Sequence, residues 1–358
     1  MPSRFKIRKS VHRISLFLSL IAYLSVLVSP QYLWFVGFIT YSIPLFLIYH
    51  LGTFSFFLVK KKYKLAFVSF VFLAIAYPFL CASFSIHLPE SVTKKTNFSV
   101  LTYNVRIFNV YEQGNRRYQH SKNVIQWVKN DDSEIKCLQE FYNSSENQVF
   151  NTTEKISQQG LYTYYVETGS KLNAGNGFGL AIFSKFPILK RGEVKFKQKT
   201  QNQVIFADVK MGNELVRIYN VHLESMNIDK NYLTGIKTFW YYIEEFLRRL
   251  KNGMETRATQ VDTLVKHIEA CPHEKIILCG DLNAPPYSYP YFSLQQKLNN
   301  AFEYVGNGFG FSFNHPVLFF LRIDNQFFSE GIKAHKYQTH REIYFSDHFP
   351  IKVNYSLE

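Results

Sequence analysis

Three stretches near the amino terminus, Ile14–Ser29, Leu33–Val59 and Leu65–Ile86, contain no Asp, Glu, Lys or Arg. No other feature of the chain restricts its fold as strongly, because a spanning helix needs about 20 apolar residues, within a range of about 17–25. The second and third stretches meet that length, and the first does so once its flanks Val11 to Pro30 are counted. A helical hairpin buried in a soluble core is a poor account of uncharged runs this long. A cleavable signal peptide is the rival for the first run, with its basic start, yet the A-x-A-like cleavage signal is poor: Leu27 stands two residues before Ser29 and Leu20 two before Ala22. Residues 1–89 therefore read as a transmembrane anchor of about three helices, with the lipid bilayer as partner.

Charge orients such an anchor, since short cytoplasmic loops carry the excess of Lys and Arg. The tail holds Arg4, Lys6, Arg8, Lys9 and Arg13, the loop Lys60–Lys64 holds four lysines, and the turn Pro30-Gln31-Tyr32 holds none. Tail and second loop then share the cytoplasmic face, and the chain after the third span is extracytoplasmic. The expectation is an integral protein of the plasma or inner membrane with the domain that follows outside. Trp34 and Tyr32 suit the outer interface. The same nine basic residues explain most of the net charge of +14. With 41 basic and 27 acidic residues in all, a surplus of only five remains beyond them. That is modest for a domain binding duplex nucleic acid through many phosphate contacts.

His87–Thr96 reads as a polar connector, and residues 97–358 as one further domain. Phe98–Tyr103, Ile135–Leu138, Leu180–Phe183, Val204–Val209, Val216–Val221 and Lys275–Cys279 are strand-like, rich in β-branched and aromatic residues. Helical patterns at Ser121–Asn130, Phe239–Lys251 and Thr256–Ala270 alternate with them, giving an α/β class. The four cysteines make no disulfide framework and read as small core residues.

Polar residues cluster where these strands end: Tyr103-Asn104-Val105, Leu138-Gln139-Glu140, Asn220-Val221-His222-Leu223-Glu224, Cys279-Gly280-Asp281-Leu282-Asn283, Arg322-Ile323-Asp324 and Ser346-Asp347-His348. Each alone is an ordinary turn. Together they supply carboxylates, carboxamides and imidazoles, the donor types that phosphoester hydrolysis needs around the charged oxygens of its transition state.

In this order the motifs resemble the endonuclease/exonuclease/phosphatase superfamily, which includes DNase I-like nucleases, sphingomyelinases and inositol polyphosphate 5-phosphatases. Gly177–Ser184 followed by Phe186-Pro187-Ile188 looks like the glycine-rich strand of that family. The resemblance implies a four-layer α/β sandwich (DNase I-like) behind the three-helix transmembrane region. It implies Glu140 as principal ligand of Mg²⁺, or of Mn²⁺ or another hard divalent cation, with Asn104 close by and Asp347 completing the metal or second-metal environment. It implies Asp281 as the group orienting or deprotonating the attacking water, and Asn283 as a donor to a phosphate oxygen. His348, held by Asp324, would contact the scissile phosphate as a donor or act as base, and His222 would stand on the leaving-group side.

The expected activity is thus metal-assisted attack of water on a phosphodiester or phosphomonoester: a lipid headgroup, a nucleic acid or a soluble ester, with no obligate protein partner. Alternatives are a nuclease proper and a catalytically silent membrane scaffold on the same fold. Two departures stand out. Asn325-Gln326-Phe327 follows Asp324 where the family usually has Tyr and an aliphatic, leaving that strand less apolar. An extension, Met226–Met254, carries Phe239-Trp240-Tyr241-Tyr242 and Arg248-Arg249-Leu250-Lys251. It reads as an amphipathic helix on the protein's own surface or as one that touches the bilayer.

Overall fold

In the computed structural model, residues 2–87, 98–112, 118–173, 176–197, 202–225 and 236–358 are described. Most of the connector expected at His87–Thr96, and residues 226–235 of the extension, lie outside them.

The apolar region folds into α1 (Pro2–Ser25), α2 (Val36–Thr40), α3 (Ile43–Val59), α4 (Tyr63–Ile75) and α5 (Tyr77–Ser83). Among the described residues one helix is long and apolar enough to cross a membrane: Val36–Val59, 24 residues, formed by α2 and α3 running on through Tyr41-Ser42. The pair α4 and α5 would be a second span only if counted as one, since it bends by 58°. Of the three helices expected in the anchor, the described residues thus supply one, or two if the bent pair is one span. Pro78 explains the bend, because its ring meets the carbonyl four residues earlier and it offers no N–H to the helix. In the first run only Val11–Ser25 is both helical and apolar, which is too short. The chain there loosens into a turn, with Leu27 N donating to Leu24 O and Val28 N to Ser25 O, ahead of Pro30.

Beyond the connector the strands are β1 (Phe98–Asn104), β2 (Ile135–Ser144), β3 (Thr163–Asn173), β4 (Asn176–Ser184), β5 (Ile188–Glu193) and β6 (Gln203–Met211). They continue with β7 (Glu214–His222), β8 (Lys275–Asp281), β9 (Asn299–Asn300), β10 (Asp324–Phe328), β11 (Ile332–Thr339) and β12 (Ile351–Leu357). The helices between them are α6 (Gln119–Asn130), α7 (Thr152–Ser157), α8 (Ile236–Glu269), α9 (Tyr289–Gln295) and α10 (Ala301–Val305). The strands form two six-stranded sheets, ordered β11-β12-β1-β2-β4-β3 and β5-β6-β7-β8-β10-β9. β1 pairs parallel with β2 and β7 parallel with β8, while the other neighbours are antiparallel.

Burial explains the layering. Val100, Cys137 and Ile182 of the first sheet share one core with Ile205, Ile218 and Cys279 of the second. On the outer face of the first sheet, Val124, Ile125 and Val128 form the apolar stripe of α6 and pack on Tyr103, Leu138 and Phe183. Lys136 Nζ donates to Val128 O at 2.7 Å, satisfying a carbonyl in the last turn of α6. Across the second sheet, the end of α8 sets the His267 ring 5.1 Å from that of Phe206 and Nδ1 2.8 Å from the Tyr219 hydroxyl. Helix, sheet, sheet and helix make the expected four-layer α/β sandwich.

Two buried carboxamides tie the sheets together. Asn220 Nδ2 donates to Leu138 O and Ala181 O, each at 2.9 Å, and its oxygen accepts from Gln139 Nε2. Gln326 Nε2 donates to Val100 O at 3.1 Å and Ile351 O at 3.0 Å, while its oxygen accepts from the Tyr355 hydroxyl at 3.1 Å. The polar sequence after Asp324 therefore does not mark an exposed strand: all five residues of β10 are buried.

The helices expected at Phe239–Lys251 and Thr256–Ala270 are one, the 34-residue α8. An interior glycine costs about 1 kcal/mol relative to alanine, so Gly253 weakens the helix without ending it. The chain divides into two compact units: Met1–Ser83, Met226–Thr259 and Pro286–Ser293 form an apolar one, and the remaining residues from Phe84 onward form the sandwich.

Candidate active site

Strand register lines up the chemistry-bearing residues. His222 of β7 pairs with Asp281 of β8, and Asp281 pairs with Asp324 of β10, so three neighbouring strands of one sheet place an imidazole and two carboxylates in a row. In the other sheet Asn104 of β1 pairs with Gln139 of β2, and Glu140 comes next.

Local backbone geometry aims these groups. Gly280 has φ +139, and a Cβ built there would stand 2.0 Å from Val221 O, so only glycine lets β8 close on β7 directly before Asp281. Glu140 has φ 50 and sits where the pairing of β2 with β4 slips between Leu138 and Phe141. A bulge of this kind re-aims side chains. Gln139 turns inward to Thr102 and Asn220, and Glu140 reaches the rim. After β1, Arg106, Ile107, Phe108 and Asn109 are all left-handed, with φ 48–54. Each such residue costs about 1–2 kcal/mol. The turn is held by Arg106 N donating to Asn104 Oδ1 at 3.0 Å and by Asn109 Nδ2 donating to Phe345 O at 2.7 Å.

The segment before β12 is fixed from several sides. Ser346 Oγ donates to Asn104 O at 2.8 Å, Asn314 Nδ2 to Ser346 O at 2.8 Å, and Asn314 N to Asp347 O at 2.7 Å. Ser312 Oγ accepts from the backbone N–H groups of Ile323 and Asp324, at 3.1 and 3.0 Å, fixing the start of β10.

The resulting cluster is tight. His348 Nδ1 lies 2.8 Å from Asp324 Oδ2, and its Nε2 lies 3.7 Å from Asp281 Oδ2. His222 Nε2 lies 3.7 Å from the same Asp281 oxygen and 3.8 Å from Glu140 Oε1. Asn104 Nδ2 donates to Glu140 Oε1 and Asp281 Oδ2, both at 3.2 Å. Asp281 Oδ1 accepts from Asn283 N at 2.7 Å. At the edge, Arg106 Nε lies 3.3 Å from Asp347 Oδ2, beside a cavity of about 490 Å³ lined also by Tyr111, Glu112 and Glu140.

Electrostatics separates the roles. Burial, with Asp324 nearby, pushes the Asp281 carboxyl up to about 6 despite the two imidazoles. Burial and then Asp347 raise Glu140 as well. Burial would lower His348, but Asp324 and Asp281 outweigh it and hold that imidazole up to about 10, a cation at neutral pH. His222 is moved the other way by burial.

Of the sequence-derived candidates, Asn104, Glu140, His222, Asp281, Asp324 and His348 meet directly. Asp347 reaches the cluster's edge through Arg106. Asn283 joins through its backbone, and its side-chain Nδ2 donates to Leu223 O at 2.9 Å. Ser312, Asn314 and Asn109 were not singled out from sequence, and nothing in their surroundings there marks them. Ser346 could have been noticed inside Ser-Asp-His, and Gln139 inside Gln-Glu.

The donor set suits a hard cation. Glu140 and Asp281 are carboxylates raised by burial and bridged by one amide, an arrangement whose charge a divalent ion would neutralise. Asn104 presents hydrogens to them, so its oxygen would ligate only after the amide turned over. Asp281, Asp324 and His348 also offer ligand atoms within 4.8 Å of one another, and Asp324 Oδ1 is buried with no hydrogen-bond partner among the described residues. The Asp324–His348 hydrogen bond already uses one atom of each, which favours a charge dyad there.

A family model described as Endonuclease/Exonuclease/phosphatase family matches residues 101–348. The chain belongs to that family. Members of the family are hydrolases of phosphate esters and depend on divalent cations. A second model, described as a domain of unknown function (DUF8431), matches residues 6–83. No curated protein matches. Solved structures with the same fold include a family member from Bacteroides thetaiotaomicron, with a TM-score of 0.53 at 18% identity over 74% of this chain and 100% of that one. Another is a family member from Bacteroides vulgatus, at 0.52 and 16% over 73% and 99%. A third is the catalytic domain of human Nocturnin with bound sulfate, at 0.51 and 15% over 75% and 97%.

Proposed function

We propose that this chain is a membrane-anchored phosphoesterase that uses Mg²⁺ or another hard divalent cation to hydrolyse a phosphate ester on the extracytoplasmic side. The observation that carries the catalytic reading is the convergence of Glu140, Asn104, His222, Asp281 and the Asp324–His348 dyad on one rim. Glu140, with a reoriented Asn104, would hold the cation, which would polarise a phosphoryl oxygen and offset charge in the transition state. Asp281, ionised above about pH 6, orients the attacking water and accepts its proton. His348, kept cationic by Asp324, donates to a nonbridging oxygen. His222, on the opposite side of Asp281, is placed to serve the leaving group. Asn283 keeps one hydrogen of its amide beyond the bond to Leu223.

The anchoring part of the reading is supported by Val36–Val59 and by the basic residues flanking the apolar helices. The test uses the full chain in detergent with Mg²⁺ and bis(p-nitrophenyl) phosphate. Turnover lost on chelation, restored by Mg²⁺ and reduced about 10²–10⁴-fold in Asp281→Ala and His348→Ala is the expected result. Wild-type turnover no faster than background would favour a silent scaffold. Protease accessibility in intact cells checks sidedness.

A further inference from the structure

Two segments of the apolar unit come from within the sandwich sequence: Met226–Thr259, which follows the strand ending at His222, and Pro286–Ser293, which follows Asn283. Their attachment inside that unit is specific. A Cβ built on Gly37 would meet Met254 Sδ at 2.6 Å, so a glycine there lets helix pack on helix. Lys251 Nζ lies 5.3 Å from the Trp34 ring centroid. Tyr287 meets Tyr41 with ring centroids 6.4 Å apart, and Phe292 meets Phe79 at 5.0 Å.

All of these contacts lie at one end of the apolar bundle. The helix Val36–Val59 rises about 1.5 Å per residue and so places Lys60–Lys64 roughly 35 Å away from Gly37, at the other end. α4 returns from that basic loop, bringing α5 and Phe79 back to the Trp34 end. If the basic loop faces the cytoplasm, α8 up to Thr259 is attached at the opposite lipid boundary. Its surface composition fits that position. Trp240 is 66% exposed, Tyr242 and Leu247 are exposed, and Glu245 pairs with Arg248 and Arg249 at 2.7 Å each. Aromatic rings beside basic side chains are the composition of a helix lying in the headgroup layer. On the bundle itself Leu45 and Ile48 are each 68% exposed, as lipid-facing side chains would be.

We propose that residues 236–259 lie in the headgroup layer of the leaflet opposite Lys60–Lys64, and that the enzyme's substrate is the phosphoester of a lipid headgroup in that layer. The first half of this inference rests on the anchoring part of the reading above, and the second half rests on its phosphoesterase part as well.

The experiment therefore has two arms. The chain has three tryptophans, so W34F/W127F leaves Trp240 as the only reporter. In nanodiscs of brominated phosphatidylcholine and phosphatidylglycerol, Trp240 emission should be quenched most by bromines near the glycerol backbone; no quenching at any depth overturns the interfacial placement. In the second arm, Trp240→Ser with Leu247→Ser is assayed on vesicles containing phosphatidylglycerol, phosphatidylethanolamine or sphingomyelin, and on bis(p-nitrophenyl) phosphate. A loss of at least tenfold on a lipid, with the soluble ester unaffected, is expected. Equal loss on both, or wild-type turnover of the soluble ester and of none of the lipids, overturns the lipid substrate. Absence of turnover on every substrate instead refutes the phosphoesterase reading, and the quenching arm still decides where the helix lies.

Discussion

Replacing Gln326 by Leu removes one of the two carboxamides that join the sheets. The side chain is fully buried and makes three hydrogen bonds, two to backbone carbonyls and one from Tyr355. Leu has nearly the same volume, so cavity formation is a small part of the cost. The Tyr355 hydroxyl, itself fully buried, is left without its acceptor at a cost of about 1–3 kcal/mol, and each carbonyl forfeits about 0.5–1.5 kcal/mol. Burying Leu where Gln stood returns about 1 kcal/mol. The net expectation is a loss of roughly 2–4 kcal/mol, or a Tm lower by roughly 5–15 °C. Thermal unfolding of the purified chain, followed by near-ultraviolet circular dichroism, measures it. Tyr355→Phe completes a double-mutant cycle: with both partners gone no hydroxyl is stranded, so the double variant should be about 1 kcal/mol more stable than additivity predicts. A Gln326→Leu protein within 0.5 kcal/mol of wild type, or strict additivity, would refute the reasoning, the first figure being about the scatter of surface substitutions.

Other perturbations probe different parts. Burial pulls the Lys136 ammonium down to about 8 from its ordinary 10.5. Between those pH values the unfolded chain binds a proton that the folded one has released, so this residue's contribution to stability rises with pH across that window. Lys136→Met should lack that rise in urea titrations at pH 7.5 and 10; an unchanged slope would argue against it. Gly280→Ala should cost more than about 3 kcal/mol or prevent folding, because the new methyl meets Val221 O and φ is unsuitable, and yield with circular dichroism reads this directly. Asp324→Asn should leave the fold intact yet lower kcat by about 10²–10⁴ with KM near wild type; a change in KM alone would assign Asp324 to substrate binding.

How much of this was legible in the sequence depends on whether a signal was local. Strands such as Val216–Val221 and Lys275–Cys279 announced themselves because buried strands are runs of β-branched residues, and register then placed His222, Asp281 and Asp324 side by side. The two helical patterns either side of Asn252-Gly253 are one helix, because the strongly amphipathic α8 carries the glycine's small cost. The third apolar run has the composition of a span but is broken at Ala76, and there the local signal, Pro78, was present and outweighed by hydropathy. The role of Gln326 was not readable, since its partners Val100, Ile351 and Tyr355 are distant in sequence. Only the packed sheets turn a polar residue in β10 from an anomaly into a tie.

The left-handed turn after β1 has a consequence for the order in which the protein can be made. Its outer anchor, Phe345 O, lies 236 residues further along the chain from Asn109, and Ser346, which holds Asn104 O, lies 242 residues on. At synthesis rates of about 5–20 residues per second, roughly 12–50 s separate the appearance of Asn104 from that of Ser346. Through that interval β1 also lacks β12, its antiparallel neighbour. The rim that carries Asn104 and Glu140 is therefore set last although its residues emerge first. A ribosome-bound chain arrested just after His348 carries every side chain of the site but not β12 and should be inactive, and stalled nascent chains of increasing length assayed for turnover would reveal whether competence arrives only with those final residues.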